Sequence, residues 1–426
     1  MVDTEKIERA RGQLTAHMMR EWLPFWQERA CDREFGGYHT SYDGSGNPGG
    51  NENRYIVSQA RMIWSYSALF GRYPDREDYR AAASQGVDFM INHFWDREYG
   101  GWFWSTDRAG NPLDRGKVVY GEGFMVYALA QYGLSTKDPR GREYASKTFE
   151  LLQKYAVDAA RGGYYENLEP DWSISEPGYA AGDRKSLDIH MHLLEAFTTL
   201  YELTGEEIHR RRLNEVIDVI LNRMFDREAG CGRNQFDYDF NPIPAISIRR
   251  TWNDDRGKGE EIREALDTTS YGHNMELSWL LNRAARVLGD APDRFHWVSK
   301  LMVEHTLKYG LDNEFGGVYR DGAHQGPALV RDKEWWQNCE VLIGFLDAYQ
   351  ALGDERCWDA FESCWAFDDR YMINHQVGEW RQLLTRTGEA LISDMSNPWK
   401  VMYHTGRALL ECTERLDLLR RNPPQT

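Results

Sequence analysis

Positions 270–281 read Ser-Tyr-Gly-His-Asn-Met-Glu-Leu-Ser-Trp-Leu-Leu, residue types that suit proton transfer. His273, Glu276 and Trp279 fall at i, i+3 and i+6 and so share one broad face of a helix. At that spacing Glu276 can reach a ring nitrogen of His273, fix its tautomer and raise its basicity. Trp279 adds a flat apolar wall one turn further in. A histidine, a carboxylate and an indole at the start of an inner helix suit chemistry on a sugar. The plainer alternative is a core histidine bonded to a neighbouring glutamate.

The elements that must position these residues follow from a recurring turn. It reads Asp32-Arg-Glu-Phe-Gly-Gly37, then Asp96-Arg-Glu-Tyr-Gly-Gly101, Asp158-Ala-Ala-Arg-Gly-Gly163, Asp226-Arg-Glu-Ala-Gly-Cys231 and Asp312-Asn-Glu-Phe-Gly-Gly317. A worn sixth copy is Asn374-His-Gln-Val-Gly-Glu379. A repeat of this kind decides the architecture before any single motif does. Each copy ends an amphipathic helical stretch, as glycine does. A short aromatic hairpin follows, then a second, more apolar helix. Six units of this kind give twelve helices. The first and last units resemble the others and carry no polar cap of the sort an open solenoid needs. The expected fold is therefore an all-α (α/α)6 barrel, with short hairpins at the active-site end. An open helical array is the alternative. One domain spanning 1–419 is expected, with a disordered tail over 420–426.

In a closed ring, residues at one phase of every unit converge. Arg61, Tyr120, His192, Trp336 and His404 follow their own turns at similar distances. His273 joins them once the longer fourth interval is allowed for. All six are expected near one height at the mouth of a funnel. The extra length falls in 236–268, where an insertion can act as a lid.

Composition narrows the partners. The chain has 426 residues, a formal net charge of -16, and 16 Trp, 23 Tyr and 17 Phe. Acidic balance without a basic stripe argues against nucleic acid and anionic membrane. Aromatics on this scale serve as core mass and as stacking platforms for sugar rings. The six cysteines form no CxxC pair, and their scatter fits reduced thiols in a cytoplasm. No apolar run is long enough to span a bilayer. The His190/His192 pair lacks the spacing of a zinc helix, and His190 is read as structural. No metal or other cofactor is expected. The expected partner is a small sugar, with a homodimer left open.

Five motifs carry a resemblance. They are Arg61-Met-Ile-Trp-Ser-Tyr66, Lys185-Ser-Leu-Asp-Ile-His-Met-His-Leu-Leu-Glu195, Tyr271-Gly-His-Asn-Met-Glu-Leu-Ser-Trp279, Lys333-Glu-Trp-Trp-Gln337 and Trp399-Lys-Val-Met-Tyr-His404. Their ordered set resembles the N-acylglucosamine 2-epimerase superfamily, nearest its cellobiose and mannose 2-epimerase branch. The resemblance implies movement of a proton at C2 of an aldose through an enediolate. It implies His273 and His404 as the acid–base pair and Glu276 as support for His273. Arg61 would hold and polarise the sugar oxygens, and His192 would sit near O1 and the ring oxygen. Trp335, Trp336 and Trp399 match positions that stack on the sugar or hold the pocket, and Tyr120 offers a hydroxyl. One departure stands out: Asp188 occupies a place where cellobiose 2-epimerases usually carry asparagine. With the long insertion, this favours a monosaccharide such as mannose or glucose over a disaccharide. An aldose–ketose isomerase would use the same site. A glycoside hydrolase recruiting Glu340, Asp188 and Glu276 would leave the histidines unexplained. A non-catalytic binding protein is the remaining reading.

Overall fold

Helical apolar spacing of two kinds builds two concentric layers. The computed structural model describes residues 2–246, 248–250 and 267–421. The outer layer is α1 (Thr4–His17, continued by Met18–Trp22 and Leu23–Arg29), α3 (Glu77–Phe89), α5 (Pro139–Leu151), α7 (Glu207–Val219), α9 (His296–His305) and α11 (Glu355–Phe367). Each of these buries one face and leaves the other in water. The inner layer is α2 (Ile56–Arg72), α4 (Val119–Thr136), α6 (Leu187–Thr204), α8 (Tyr271–Leu288), α10 (Trp335–Leu352) and α12 (Met402–Arg421). These are buried on nearly every side, as helices enclosed by other helices must be.

The ring closes. Each inner helix packs on the next, α12 returns to α2, and α1 packs on α12. The hairpins close with it. Strand Arg54–Tyr55 pairs with Ser105–Thr106, Lys117–Val118 with Asn167–Leu168, Arg184–Ser186 with Gln235–Asp237, Thr268–Ser270 with Asp321–Ala323, and Lys333–Glu334 with Leu383–Leu384. The last link is a bridge between Tyr42 and Ser396. The (α/α)6 barrel expected from the repeat is what the structure has, and the open array is overturned. The last helix runs through Arg421, two residues into the segment expected as a tail; 422–426 lie outside the described residues.

The repeated turn has a repeated physical cause. In five units the aspartate Oδ1 accepts the backbone N–H groups two and three residues on, from Glu34 and Phe35 in the first unit to Glu314 and Phe315 in the fifth. Its other oxygen takes a cation that lies two residues before an inner helix. Asp32 pairs with Arg54 at 2.6 Å, Asp96 with Lys117 at 2.8 Å, Asp158 with Lys185 at 2.9 Å and Asp312 with Lys333 at 3.1 Å. The fourth unit has Thr269 at that place, and Arg233 reaches Asp226 instead, at 2.6 Å. The sixth has Asn374, and its cation Lys400 turns to Glu379 at 3.3 Å. In the first unit the second glycine has a steric reason: Gly37 has φ +64, and a Cβ there would stand 2.8 Å from Gln59 Oε1. In four units the turn thus ties the end of an outer helix to the start of an inner one.

Candidate active site

The inner helices start at one rim, and their first two turns line a cavity of about 450 Å³. Ser270 shows how the sequence sets the starting point. Its hydroxyl caps α8 by accepting the backbone N–H of His273, which places His273 in the first turn, at the mouth. Ser186 caps α6 in the same way. Arg61, Tyr120, Asp188, His192, His273, Trp335, Trp336, Trp399 and His404 all line this one cavity.

They occupy two levels rather than the single height expected. Tyr120, Asp188, His273, Trp336 and His404 belong to the first turns of their helices, and Arg61 and His192 lie a turn deeper along theirs. At the upper level the Trp336 ring lies near both histidines. Its ring centroid is 4.5 Å from His273 and 5.8 Å from His404. Trp335 meets His404 only edge-on at 6.3 Å and is more deeply buried, so Trp336 is the indole that neighbours both imidazoles. Arg61 is held as a fixed cation: it donates to the Trp399 carbonyl at 2.7 Å and to the Tyr120 hydroxyl at 2.9 Å, and lies over the Phe124 ring at 4.6 Å. Burial pushes the Tyr120 hydroxyl above the ordinary tyrosine range, so it stays protonated.

The histidines differ in state for visible reasons. His192 presents Nδ1 to Glu195 Oε2 at 3.1 Å and Nε2 to Asp188 Oδ1 at 3.3 Å. Burial opposes its charge, but these two carboxylates prevail and raise it to about 9. Nδ1 donates to Glu195 and Nε2 faces Asp188 as an ion pair, so the raised value favours the imidazolium at neutral pH. Asp188 Oδ1 also lies 3.4 Å from His273 Nε2, so one carboxylate oxygen links two histidines. The residue that departs from the resembled pattern thus places its charge beside both rings. His404 is the opposite case: burial first, then Arg61 and Arg407, hold it well below its ordinary value. Its Nδ1 lies 2.8 Å from Glu340 Oε1, which leaves Nε2 for the cavity. His190 is structural, as expected. It bonds the Ser186 carbonyl and the Tyr164 N–H, and burial lowers it to about 4.

Two expectations are corrected. Glu276 is not the partner of His273: it is fully buried and bonds to Arg407. Helical phase put both on one face, but Arg407, brought in from α12, draws the carboxylate downward. Trp279 is not a wall of the cavity. It lies in the core, donates to Glu340 Oε2 at 3.2 Å and carries the Arg407 guanidinium 5.0 Å over its ring. Sequence reasoning gave no role to Arg407 or Glu195, and placed Glu340 only in a hydrolase. These residues form the floor: Arg407 bonds Glu195 and Glu276 and reaches Glu340 Oε1 at 2.7 Å. The ligand atoms of His192, Glu195 and Glu276, and those of Glu276, Glu340 and His404, lie within 4.8 Å of one another. The guanidinium already stands among the same carboxylates, where a metal ion would have to sit.

The insertion contributes as well. Ala245, Ile246, Ile248 and Arg250 line the cavity. Arg250 grips Asp114 at 2.7 and 2.8 Å, and Arg249 reaches Glu169 at 2.6 Å. This arm therefore lies across the mouth and is tied to two other units. The rest of the expected lid, Ser247 and 251–266, lies outside the described residues.

The chain is similar to known proteins over nearly its whole length. The family model for N-acylglucosamine 2-epimerase (GlcNAc 2-epimerase) matches residues 36–408. A cellobiose 2-epimerase of Bacteroides fragilis is 30% identical over 399 residues, covering 91% of this chain and 95% of that protein. The structure of the cellobiose 2-epimerase from Bacillus thermoamylovorans superposes with a TM-score of 0.84 at 26% identity, over 96% of this chain and 100% of that one. A D-mannose isomerase structure matches in fold, with a TM-score of 0.78 at 19% identity, over 97% of this chain and 98% of that one.

Proposed function

The chain belongs to the N-acylglucosamine 2-epimerase family, and from that premise we propose that it is a sugar 2-epimerase acting on a monosaccharide, interconverting D-mannose and D-glucose. The observation that carries the mechanism is the pair of imidazoles, His273 and His404, which line one cavity from different helices and both neighbour Trp336. Epimerisation needs a proton taken from one face of C2 and returned to the other. Two histidines that face the same space from different helices meet that need. His404, kept neutral with Nε2 toward the cavity, acts as base in one direction and as acid in the other. His273 serves the opposite face.

Charge that builds on O1 as the proton leaves needs a fixed cation. Arg61 and the His192 imidazolium supply it. Both are locked by protein partners, so neither has to reorganise as the charge develops. Asp188 and Glu195, facing its two nitrogens, also favour the protonated ring and so disfavour His192 as a base. Tyr120 and Trp399 beside Arg61 give a hydroxyl and an aromatic face for the sugar. Every step in this reading uses side chains alone, so no cofactor is called for.

Two features support a monosaccharide. The arm lines the cavity with Ile246, Ile248 and Arg250, and Arg250 is already committed to Asp114, so the arm offers a second sugar ring few polar contacts. Asp188 is committed to two histidines, and a carboxylate cannot donate to a sugar hydroxyl as an amide can. The test is incubation of mannose and cellobiose side by side in heavy water, with products identified by NMR. Glucose from mannose with deuterium at C2 is the expected result. Rapid turnover of cellobiose with inert mannose would reverse the substrate, and fructose from mannose would make the enzyme an aldose–ketose isomerase.

A further inference from the structure

We propose that Glu276 is a positioning residue for the Glu340–His404 acid–base pair, acting through Arg407: it competes with Glu340 for one guanidinium nitrogen and so sets which member of the pair holds their shared proton. The inference rests on the epimerase reading for what the pair does, and on geometry for how the pair is set.

Arg407 Nη2 lies 2.7 Å from Glu340 Oε1 and is also bonded to Glu276 Oε1. Nη1 is taken by Glu195 and the Tyr403 hydroxyl. Three buried carboxylates therefore divide one cation. Glu195 has a second one in His192. Glu276 has that ring only within 4.8 Å and not in a hydrogen bond, and its Oε2 has no hydrogen-bond partner among the described residues. A carboxylate so weakly compensated, within 4.8 Å of Glu340 and His404, disfavours a second negative charge beside it. Arg61 and His192 act on His404 from α2 and α6, and both favour its neutral form. Glu340 is raised to about 8, by burial first and then by Glu276 and Glu195, against the pull of Arg407.

The pair at rest is then Glu340 with its proton donated to His404 Nδ1, and the imidazole proton on Nε2 facing the cavity. When the enediolate collapses, the Nε2–H bond breaks, a C2–H bond forms, and the Glu340 proton passes to Nδ1. The negative charge leaves the enediolate and ends on Glu340 beside Arg407. Proton abstraction is the same exchange reversed. Glu276 does not touch the sugar; it adjusts how tightly Glu340 holds the proton that this exchange requires.

Glu276→Gln removes the competing charge and keeps the size. The limb of the kcat/KM pH profile that belongs to the pair should move to lower pH by about one unit. In sugar-free protein the 15N resonances of His404 should move at neutral pH from the Nε2–H form toward Nδ1–H. Arg407→Lys, which gives up the fork reaching Glu340, should move the limb the other way. If Glu276→Gln does not fold, the Arg407→Lys titration decides alone, with a limb that fails to move to higher pH counting against the proposal. Loss of activity with the limb and the His404 resonances both unmoved would make Glu276 a space-filling residue and overturn the proposal. The NMR titration needs no turnover, so it stands even if mannose proves to be the wrong sugar.

Discussion

His404 and His192 sit in one cavity, one held toward the neutral form and the other toward the cation, and the difference comes from their surroundings. His404 shares a proton with Glu340, whereas His192 is clamped between Glu195 and Asp188. Replacing His404 with Gln should lower kcat by about 10²–10⁴-fold, the usual worth of a positioned acid–base group, with little change in melting temperature. Asp188→Asn should act differently. It removes one of the two carboxylates that raise His192 to about 9, so the imidazolium loses its proton at lower pH. The alkaline limb of the activity profile should then shift toward neutrality, which a pH–rate series will show. The sequence made His273, His192, Arg61 and His404 legible, because they recur at one phase of a repeat. It did not make their partners legible. Glu276 and His273 share a helical face, yet the partner that decides where Glu276 goes is Arg407, which the fold brings in from the last helix. Phase along one helix gives direction and says nothing of what waits at each depth.

The turn that joins each outer helix to its hairpin is a small electrostatic device built around one aspartate. Its buried cation is the test. Lys117 and Asp96 are almost wholly enclosed and 2.8 Å apart. Lys117→Met should cost about 3–5 kcal/mol, since an uncompensated carboxylate is left in the core; urea denaturation will measure it. The Asp-to-Gly-Gly pattern was plain in the sequence, and so were the helices and hairpins around it. The cation two residues before the inner helix was visible too, in Lys185 and Lys333, but only as part of a resembled motif. Nothing in the spacing said that it would reach back to the aspartate. The fourth unit hid the rule altogether, because Thr269 stands at that place and Arg233 does the work from elsewhere.

A ring needs a seam, and here it lies between α1 and the sixth turn. His375 Nδ1 is 2.9 Å from Glu21 Oε2, and His17 Nδ1 is 2.8 Å from the same oxygen. Burial opposes charge on His375, but the Asp369 carbonyl and Glu21 raise its pKa above the ordinary 6.5. Glu21 is lowered from 4.5 by both histidines, against its burial. The sign follows for each group. The His375 contribution is whole below 6.5 and fades as pH rises through its raised value. The Glu21 contribution is whole above 4.5 and is lost as pH falls through its lowered value. His375→Gln should therefore depress the melting temperature between those limits, near pH 6, and have little effect near pH 9. That the chain closes on itself was inferred from the likeness of its end units; which contacts close it was not, since the partners are more than three hundred residues apart in sequence. The closure has one more consequence. Val2 bonds Tyr349 near the end of α10, and α12 packs on α1, so the first and last described residues lie at the end of the barrel remote from the cavity. The order in which the six units are synthesised is then separable from their arrangement in space. A circularly permuted gene, spliced across the old ends and opened at another unit, would encode the same toroid around the same sugar.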